Sequence, residues 1–162
     1  MHGEWWTVVY SVLMLTPGHD APALVLLDQH GETVDIRTFR GRRVLVFFYP
    51  KASTPGCTQQ VCAVRDVADQ VGDTVLIGVS PDLPAAQARF AEKQGVAYPL
   101  LSDPDRVACE AWGVWREKVL YGKRSMGVVR SAFLVGVDGV LEQVWYKVGP
   151  ADTATRLLAA LA

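Results

Sequence analysis

Three uninterrupted apolar runs, Val44–Tyr49, Val75–Val79 and Phe133–Val137, punctuate the chain. Runs of that length without polar alternation are what central strands covered on both faces require. Ahead of them, Ala23–Leu27, the turn residues Asp28–Gly31 and Glu32–Ile36 predict an N-terminal hairpin. After the first run, Cys57, Val61, Val64, Ala68 and Val71 recur at steps of three and four, one apolar stripe of a helix that Gly72 ends. Asp82 with Pro84 predicts a second helix reaching about Gln94 and stopping at Gly95, and Asp103 with Pro104 a third that stops near Gly113. The Asp138-Gly139 turn leads into a strand over Leu141–Val148, and Asp152 caps a last helix.

The order is thus a hairpin, two βα units, a helix, a second hairpin and a final helix. A βαβ half followed by a ββα half is the thioredoxin-like arrangement, an α/β fold whose central mixed sheet carries helices on both faces. No linker, repeat or low-complexity tract divides the chain, so residues 15–162 read as one domain behind an N-terminal extension of residues 1–14. That extension holds the apolar run Val8–Leu15, too short to span a bilayer, and no Lys or Arg precedes it. With no small-residue cleavage site following, the expectation is a cytoplasmic protein. The extension reads as a misassigned start, because Met14 would serve as a start codon directly before the domain-like opening Leu15–Pro22; the rival is a segment that touches a membrane.

The 162 residues include 16 Lys+Arg and 17 Asp+Glu, a net charge of −1, and half are hydrophobic. A chain of this length buries roughly two-thirds of its unfolded surface, so its core needs neither a metal nor disulfides. Balanced charge argues against nucleic acid or an anionic membrane as main partner, because both select a basic surface. Three cysteines, with Cys57 and Cys62 nearly adjacent, make a poor disulfide framework and fit a reducing compartment.

The most informative stretch is Tyr49–Cys62, which joins a buried strand end to a helix start. Reactive groups collect at the carboxyl ends of strands in open α/β sheets. Cys57 falls in the first helical turn, where unpaired N–H groups and the helix dipole favour a thiolate over a thiol. Making the thiolate dominant at neutral pH takes roughly 2.7 kcal/mol. One helix end contributes about 1 kcal/mol, so a nearby cation is needed. Arg130, just before the strand that begins near Ser131, is the candidate; a solvated surface arginine is an equally good reading. Thr54 is an N-cap, or a cap that also touches the thiolate or a substrate oxygen.

Five helical steps set Cys62 about 140° around the axis from Cys57 and roughly 8.7 Å away between Cα atoms. A disulfide requires less than about 7 Å. The two thiols therefore bond only if that turn unwinds, giving a reduced helical state and an oxidised, locally unfolded one. Cys62 lies on the polar flank with Thr58, Arg65, Asp66 and Asp69, which suits a thiol that meets another protein; a small filler residue is the alternative. Cys109 reads as a small buried hydrophobe. His2, His19 and His30 fall in the extension or in turns and offer no general base or ligand. Trp112, Trp115 and Trp145 read as packing or pocket walls.

Pro50, Thr54 and Cys57 in the pattern P-x3-T-x2-C, followed by Cys62 and Arg130, resemble the peroxiredoxins. The run Phe48–Thr58 with a second cysteine five residues after the first is similar to the bacterioferritin comigratory protein, or peroxiredoxin Q, subgroup. So are Tyr98–Asp103, Trp112–Val114, Tyr121–Lys123 and Gly127–Phe133, and the resemblance runs from Leu15 to the C-terminus. It implies a thiol peroxidase acting on hydrogen peroxide and organic hydroperoxides without metal or organic cofactor. Cys57 would be the peroxidatic cysteine, passing through a sulfenic acid. Thr54 and Arg130 would position and polarise the peroxide, and Pro50 would shield the site. Cys62 would resolve the sulfenic acid as an intramolecular disulfide, reduced by thioredoxin or a glutaredoxin-like protein, in a monomer. The chain departs from the subgroup at Gln60, where an acidic residue is common, at Val61, where Ala is common, and at Ala132, where Thr is usual.

Two other chemistries fit less well. A disulfide reductase of the same fold needs Cys-x-x-Cys, and the spacing here is Cys-x4-Cys. A copper chaperone needs a distal histidine, but none follows His30, and three scattered cysteines do not make a tetrahedral zinc set.

Overall fold

The structure, a computed structural model, describes residues 14–162. The expected extension lies, up to residue 13, outside the described residues. Leu15 is buried, and its N–H donates to the Tyr146 hydroxyl at 3.1 Å.

The strands are β1 (Val25–Leu27), β2 (Thr33–Asp35), β3 (Val44–Phe48), β4 (Val75–Ser80), β5 (Leu100–Ser102), β6 (Trp115–Leu120), β7 (Lys123–Val128), β8 (Ser131–Val135) and β9 (Leu141–Trp145). The helices are α1 (Pro55–Asp66), α2 (Pro84–Gln94), α3 (Val107–Ala111) and α4 (Asp152–Leu161). Seven strands form one mixed sheet in the order β2-β1-β5-β4-β3-β8-β9, while β6 and β7 make a separate antiparallel ribbon. At the centre, β3 runs parallel to β4 and antiparallel to β8.

Every residue of β3, β4 and β8 is buried, as their unbroken apolar runs require. Alternation along β3 sends Val44, Val46 and Phe48 to one face and Leu45 and Phe47 to the other. The first face packs against Ala108, Cys109 and Trp112. The second packs against Cys57, Val61 and Val64 of α1, Phe90 of α2 and Leu157 of α4. Helices therefore cover both faces, and the Cys57 motif and Cys109 lie on opposite sides of the sheet.

Several elements differ from the sequence reading. The first helix ends at Asp66, and a separate 3-10 turn over Ala68–Gln70 leaves Ala68 exposed rather than on the buried stripe. Gly72, at φ 61°, still provides the left-handed exit. None of the three expected aspartates is the N-cap residue, although Asp103 still satisfies a first-turn N–H of its helix. Asp82 accepts from Ala52 N–H and the Ser80 hydroxyl, both at 2.7 Å. Asp103 accepts from Cys109 N–H at 2.7 Å, and the third helix shrinks to Val107–Ala111. Asp152 is the first helical residue of α4, one position beyond the cap. The last strand stops at Trp145, before Lys147 turns left-handed at φ 55°.

Strand β5 and the whole β6–β7 ribbon were not expected. The ribbon turns at Tyr121 and Gly122, with φ 53° and 73°, the positive pair that a type I′ hairpin turn needs. No helix among the described residues is long and apolar enough to cross a membrane.

Candidate active site

The loop from β3 to α1 is held from outside itself. Tyr49 donates from its hydroxyl to Gln87 Oε1 at 2.5 Å, and Gln87 Nε2 donates to Ser80 Oγ at 2.9 Å. Ser80 passes the chain on to Asp82, which takes the Ala52 N–H of the loop. Burial pushes the Tyr49 phenol far above its ordinary range, so it stays a neutral donor in this network. Between the anchored Ala52 and Thr54, Ser53 is left-handed at φ 66°, a conformation that a non-glycine residue holds only where its surroundings dictate it.

That loop delivers Thr54 as the N-cap of α1, with extended backbone and Pro55 behind it as the first helical residue. The Thr54 side chain does not cap; its hydroxyl donates to the Lys51 carbonyl at 2.7 Å. Cys57, fully buried, sits in the first turn. Pro50 is half-buried at the start of the loop.

Arg130 arrives from the neighbouring strand. Because β8 pairs antiparallel with β3 and sets Ser131 opposite Phe48, the residue before β8 lies beside the loop that follows β3. Its carbonyl accepts from Val148 N–H at 3.0 Å, which fixes the backbone. Its Nη1 stands 3.6 Å from Cys57 Sγ and 2.7 Å from Gln60 Oε1. Of the two sequence readings of Arg130, the solvated surface arginine is not the one observed. The structure brings Thr54, Cys57 and Arg130 to one helix start.

Two further residues complete the surroundings. A Cβ at position 56 would stand 3.0 Å from Arg130 Nη2, so Gly56 gives the guanidinium room across the first helical turn. The signal was in the sequence, as a poor helix former placed one residue inside a helix. Lys118 of β6 pairs with Ser125, and its side chain runs over Gly127 of β7, where a Cβ would meet its Cδ at 3.3 Å. Burial holds the Lys118 ammonium below the usual lysine range; Arg130 adds to this by repulsion, and Cys57 opposes it. Three ionisable groups thus share one field.

Cys62 is half-buried on the same unbroken helix, and its thiol donates to Gln94 Oε1 at 3.4 Å. It is a free thiol, as is Cys57. Cys109 is fully buried in the opposite core. Burial drives its thiol far above the ordinary cysteine range, and the neighbouring Asp103 carboxylate pushes the same way. Alkylation of the native reduced protein by iodoacetamide at pH 8 is therefore expected to modify Cys62 while leaving Cys109 unlabelled until denaturant is added. Peptide mass mapping of a time course reads this directly, and early label on Cys109 would contradict it.

A buried free cysteine at a helix start beside an arginine, on a sheet of this topology, can be compared with known proteins. Residues 17–144 match the model of the AhpC/TSA family. Peroxiredoxin Bcp of Escherichia coli K12 is 47% identical over 133 residues, covering 81% of this chain and 85% of that protein. The chain is a member of the peroxiredoxin family. Peroxiredoxin Bcp of Bacillus subtilis is 40% identical over 146 residues, covering 89% of this peroxiredoxin and 93% of its relative. Among solved structures, the bacterioferritin comigratory protein of Xanthomonas campestris superposes with a TM-score of 0.80 at 36% identity, covering 93% of this chain and 97% of that one. A peroxiredoxin Q variant from Xylella fastidiosa superposes at 0.86 with 26% identity and the same coverage. This peroxiredoxin has the thioredoxin-like fold and is a thiol peroxidase, an oxidoreductase that takes a peroxide substrate and a thiol reductant.

Proposed function

We propose that Cys57 is the peroxidatic cysteine, reducing hydrogen peroxide and organic hydroperoxides, and that Cys62 resolves it. The observation that carries this reading is the 3.6 Å approach of Arg130 Nη1 to Cys57 Sγ at the N-terminus of α1. Two sources of positive potential then converge on one buried sulfur, where a low dielectric strengthens both. The thiolate attacks the terminal peroxide oxygen, the O–O bond breaks, and the leaving oxygen takes a proton as water or alcohol. Sulfur is oxidised to a sulfenic acid and the peroxide is reduced. Arg130 and Thr54 hold the peroxide and the charge moving onto the leaving oxygen, and Pro50 keeps the mouth of the site dry.

Cys62 then displaces hydroxide from the Cys57 sulfenic acid, releasing water and leaving a disulfide, for which α1 must unwind between the two residues. A dithiol protein of the thioredoxin or glutaredoxin kind restores both thiols by exchange. Both cysteines belong to one chain, so the cycle closes in a monomer, with its domain over residues 15–162. The cysteine pattern favours the cytoplasm, a reducing compartment, as the site of action.

Arg130→Ala is expected to slow single-turnover oxidation of Cys57 by about a hundredfold, the scale on which a lost charge-stabilising donor acts. Stopped-flow tryptophan fluorescence with hydrogen peroxide measures the rate. A rate within twofold of wild type would remove Arg130 from the mechanism.

A further inference from the structure

Gly127 lies inside β7 without a positive φ, so no turn or left-handed backbone requires a glycine there. A glycine within a strand weakens it and marks a place where another group comes close. That group is Lys118: a Cβ at position 127 would stand 3.3 Å from its Cδ, 3.4 Å from its Cε and 3.6 Å from its Nζ. From its place opposite Ser125 the side chain leans two residues along β7, toward the end that leads through Val129 to Arg130. Lys118 is half-buried, and among the described residues it makes no ion pair; Glu117, on the other face of the ribbon, pairs with Arg124. Arg130 repels its ammonium and Cys57 attracts it.

The peroxide step needs a proton at this place. When the thiolate attacks, the electron pair of the broken O–O bond goes to the leaving oxygen, which departs as hydroxide or alkoxide unless an acid meets it. The other groups at the site do not provide one. Cys57 reacts as the thiolate, and the Arg130 guanidinium keeps its protons. Thr54 donates its hydroxyl hydrogen to the Lys51 carbonyl, and Tyr49 donates its own to Gln87. We propose that Lys118 is the proton donor of the peroxide reduction, reaching the leaving oxygen from across Gly127, a role that rests on the reading of Cys57 as the attacking thiolate. Its ammonium passes one proton to the leaving oxygen as the S–O bond forms and the O–O bond breaks, so that water or alcohol departs and the lysine is left neutral. The thiolate and the ammonium thus lose their charges in the same event. Burial and Arg130 already hold the ammonium below the usual lysine range, and conversion of the thiolate to a neutral sulfenic acid removes the attraction that opposes them. Proton release is therefore favoured as the reaction proceeds. The half-exposed side chain recovers its proton from water before the next turnover.

The test measures single-turnover oxidation of Cys57 at neutral pH in the full chain, for wild type, Lys118→Met and Lys118→Arg, with three oxidants: hydrogen peroxide, tert-butyl hydroperoxide and peracetic acid. Hydroxide and tert-butoxide are poor leaving groups without a proton, whereas acetate leaves as a stable anion. Lys118→Met is expected to react about a hundredfold more slowly with the first two oxidants, the scale on which a lost general acid acts, and to stay within about threefold of wild type with peracetic acid. The peracid rate also shows that the variant keeps its folded site. Lys118→Arg keeps the positive charge but holds its proton too tightly to give it up, so it is expected to be as slow as Lys118→Met with hydrogen peroxide. Equal losses with all three oxidants, recovery of the wild-type rate in Lys118→Arg, or no loss in Lys118→Met would each overturn the proposal. Cys57→Ser run alongside separates the two levels: hydrogen peroxide consumption persisting there sinks the underlying assignment rather than the role of Lys118.

Discussion

Cys57→Ser is expected to bring peroxide consumption down to the uncatalysed background while leaving the fold intact. The substitution exchanges sulfur for oxygen at a fully buried position in the cluster that α1 shares with α2, α4 and the sheet, so little volume is lost. The serine hydroxyl stays within reach of Arg130 and is not stranded without a partner. What disappears is the nucleophile: a serine hydroxyl remains protonated at neutral pH even with a helix N-terminus and a guanidinium beside it. Peroxide disappearance in the presence of excess dithiothreitol measures activity, and near-UV circular dichroism checks packing. Residual turnover above a few per cent, with native packing, would mean that another group reacts with peroxide.

Cys62→Ser is the second large effect, and it should separate two steps that Cys57→Ser abolishes together. Oxidation of Cys57 is expected to proceed at the wild-type rate, because Cys62 is bonded to Gln94 on the far flank of α1 and takes no part in the field around the sulfur. Turnover driven by a thioredoxin-type protein is expected to stop after one equivalent of peroxide per chain. The reason lies in the helix: two residues separated by five positions on an unbroken α1 cannot bond, so the disulfide competes with the helical hydrogen bonds of that segment. A resolving thiol on the same helix couples oxidation to that unwinding. Undiminished turnover of Cys62→Ser with the protein reductant would pass the resolving role to another group.

The chemistry was more legible in the sequence than the scaffold around it. Continuous apolar strands, a Pro-capped helix start and the spacing of Pro50, Thr54 and Cys57 are local features, and local features survive without the fold. Arg130 was legible only as one of two options, since its approach to Cys57 depends on β8 pairing antiparallel with β3. Gln60 was visible as a departure from the subgroup, but its burial against Thr153 is set by the docking of α4, more than ninety positions away. Asp82, misread as a cap, shows a second limit. A side chain before a Pro-led helix has several N–H groups to choose from, and Asp82 takes that of Ala52 in another loop. Strand β5 is three residues long and gives no period to read. The β6–β7 ribbon is mostly exposed and rich in Lys and Arg, so no buried face marked it in the pattern.

Intact-mass and peptide mapping after one equivalent of hydrogen peroxide, on reduced wild type and on Cys62→Ser, tests the central claim most directly. The account predicts that wild type loses two hydrogens and yields a linked Cys57–Cys62 peptide, while Cys62→Ser gains one oxygen at Cys57. A sulfenic acid that persists in wild type, or a bond between Cys57 and Cys109, would contradict Cys62 as the resolving residue. A Cys57 left unmodified in both proteins would contradict the account as a whole.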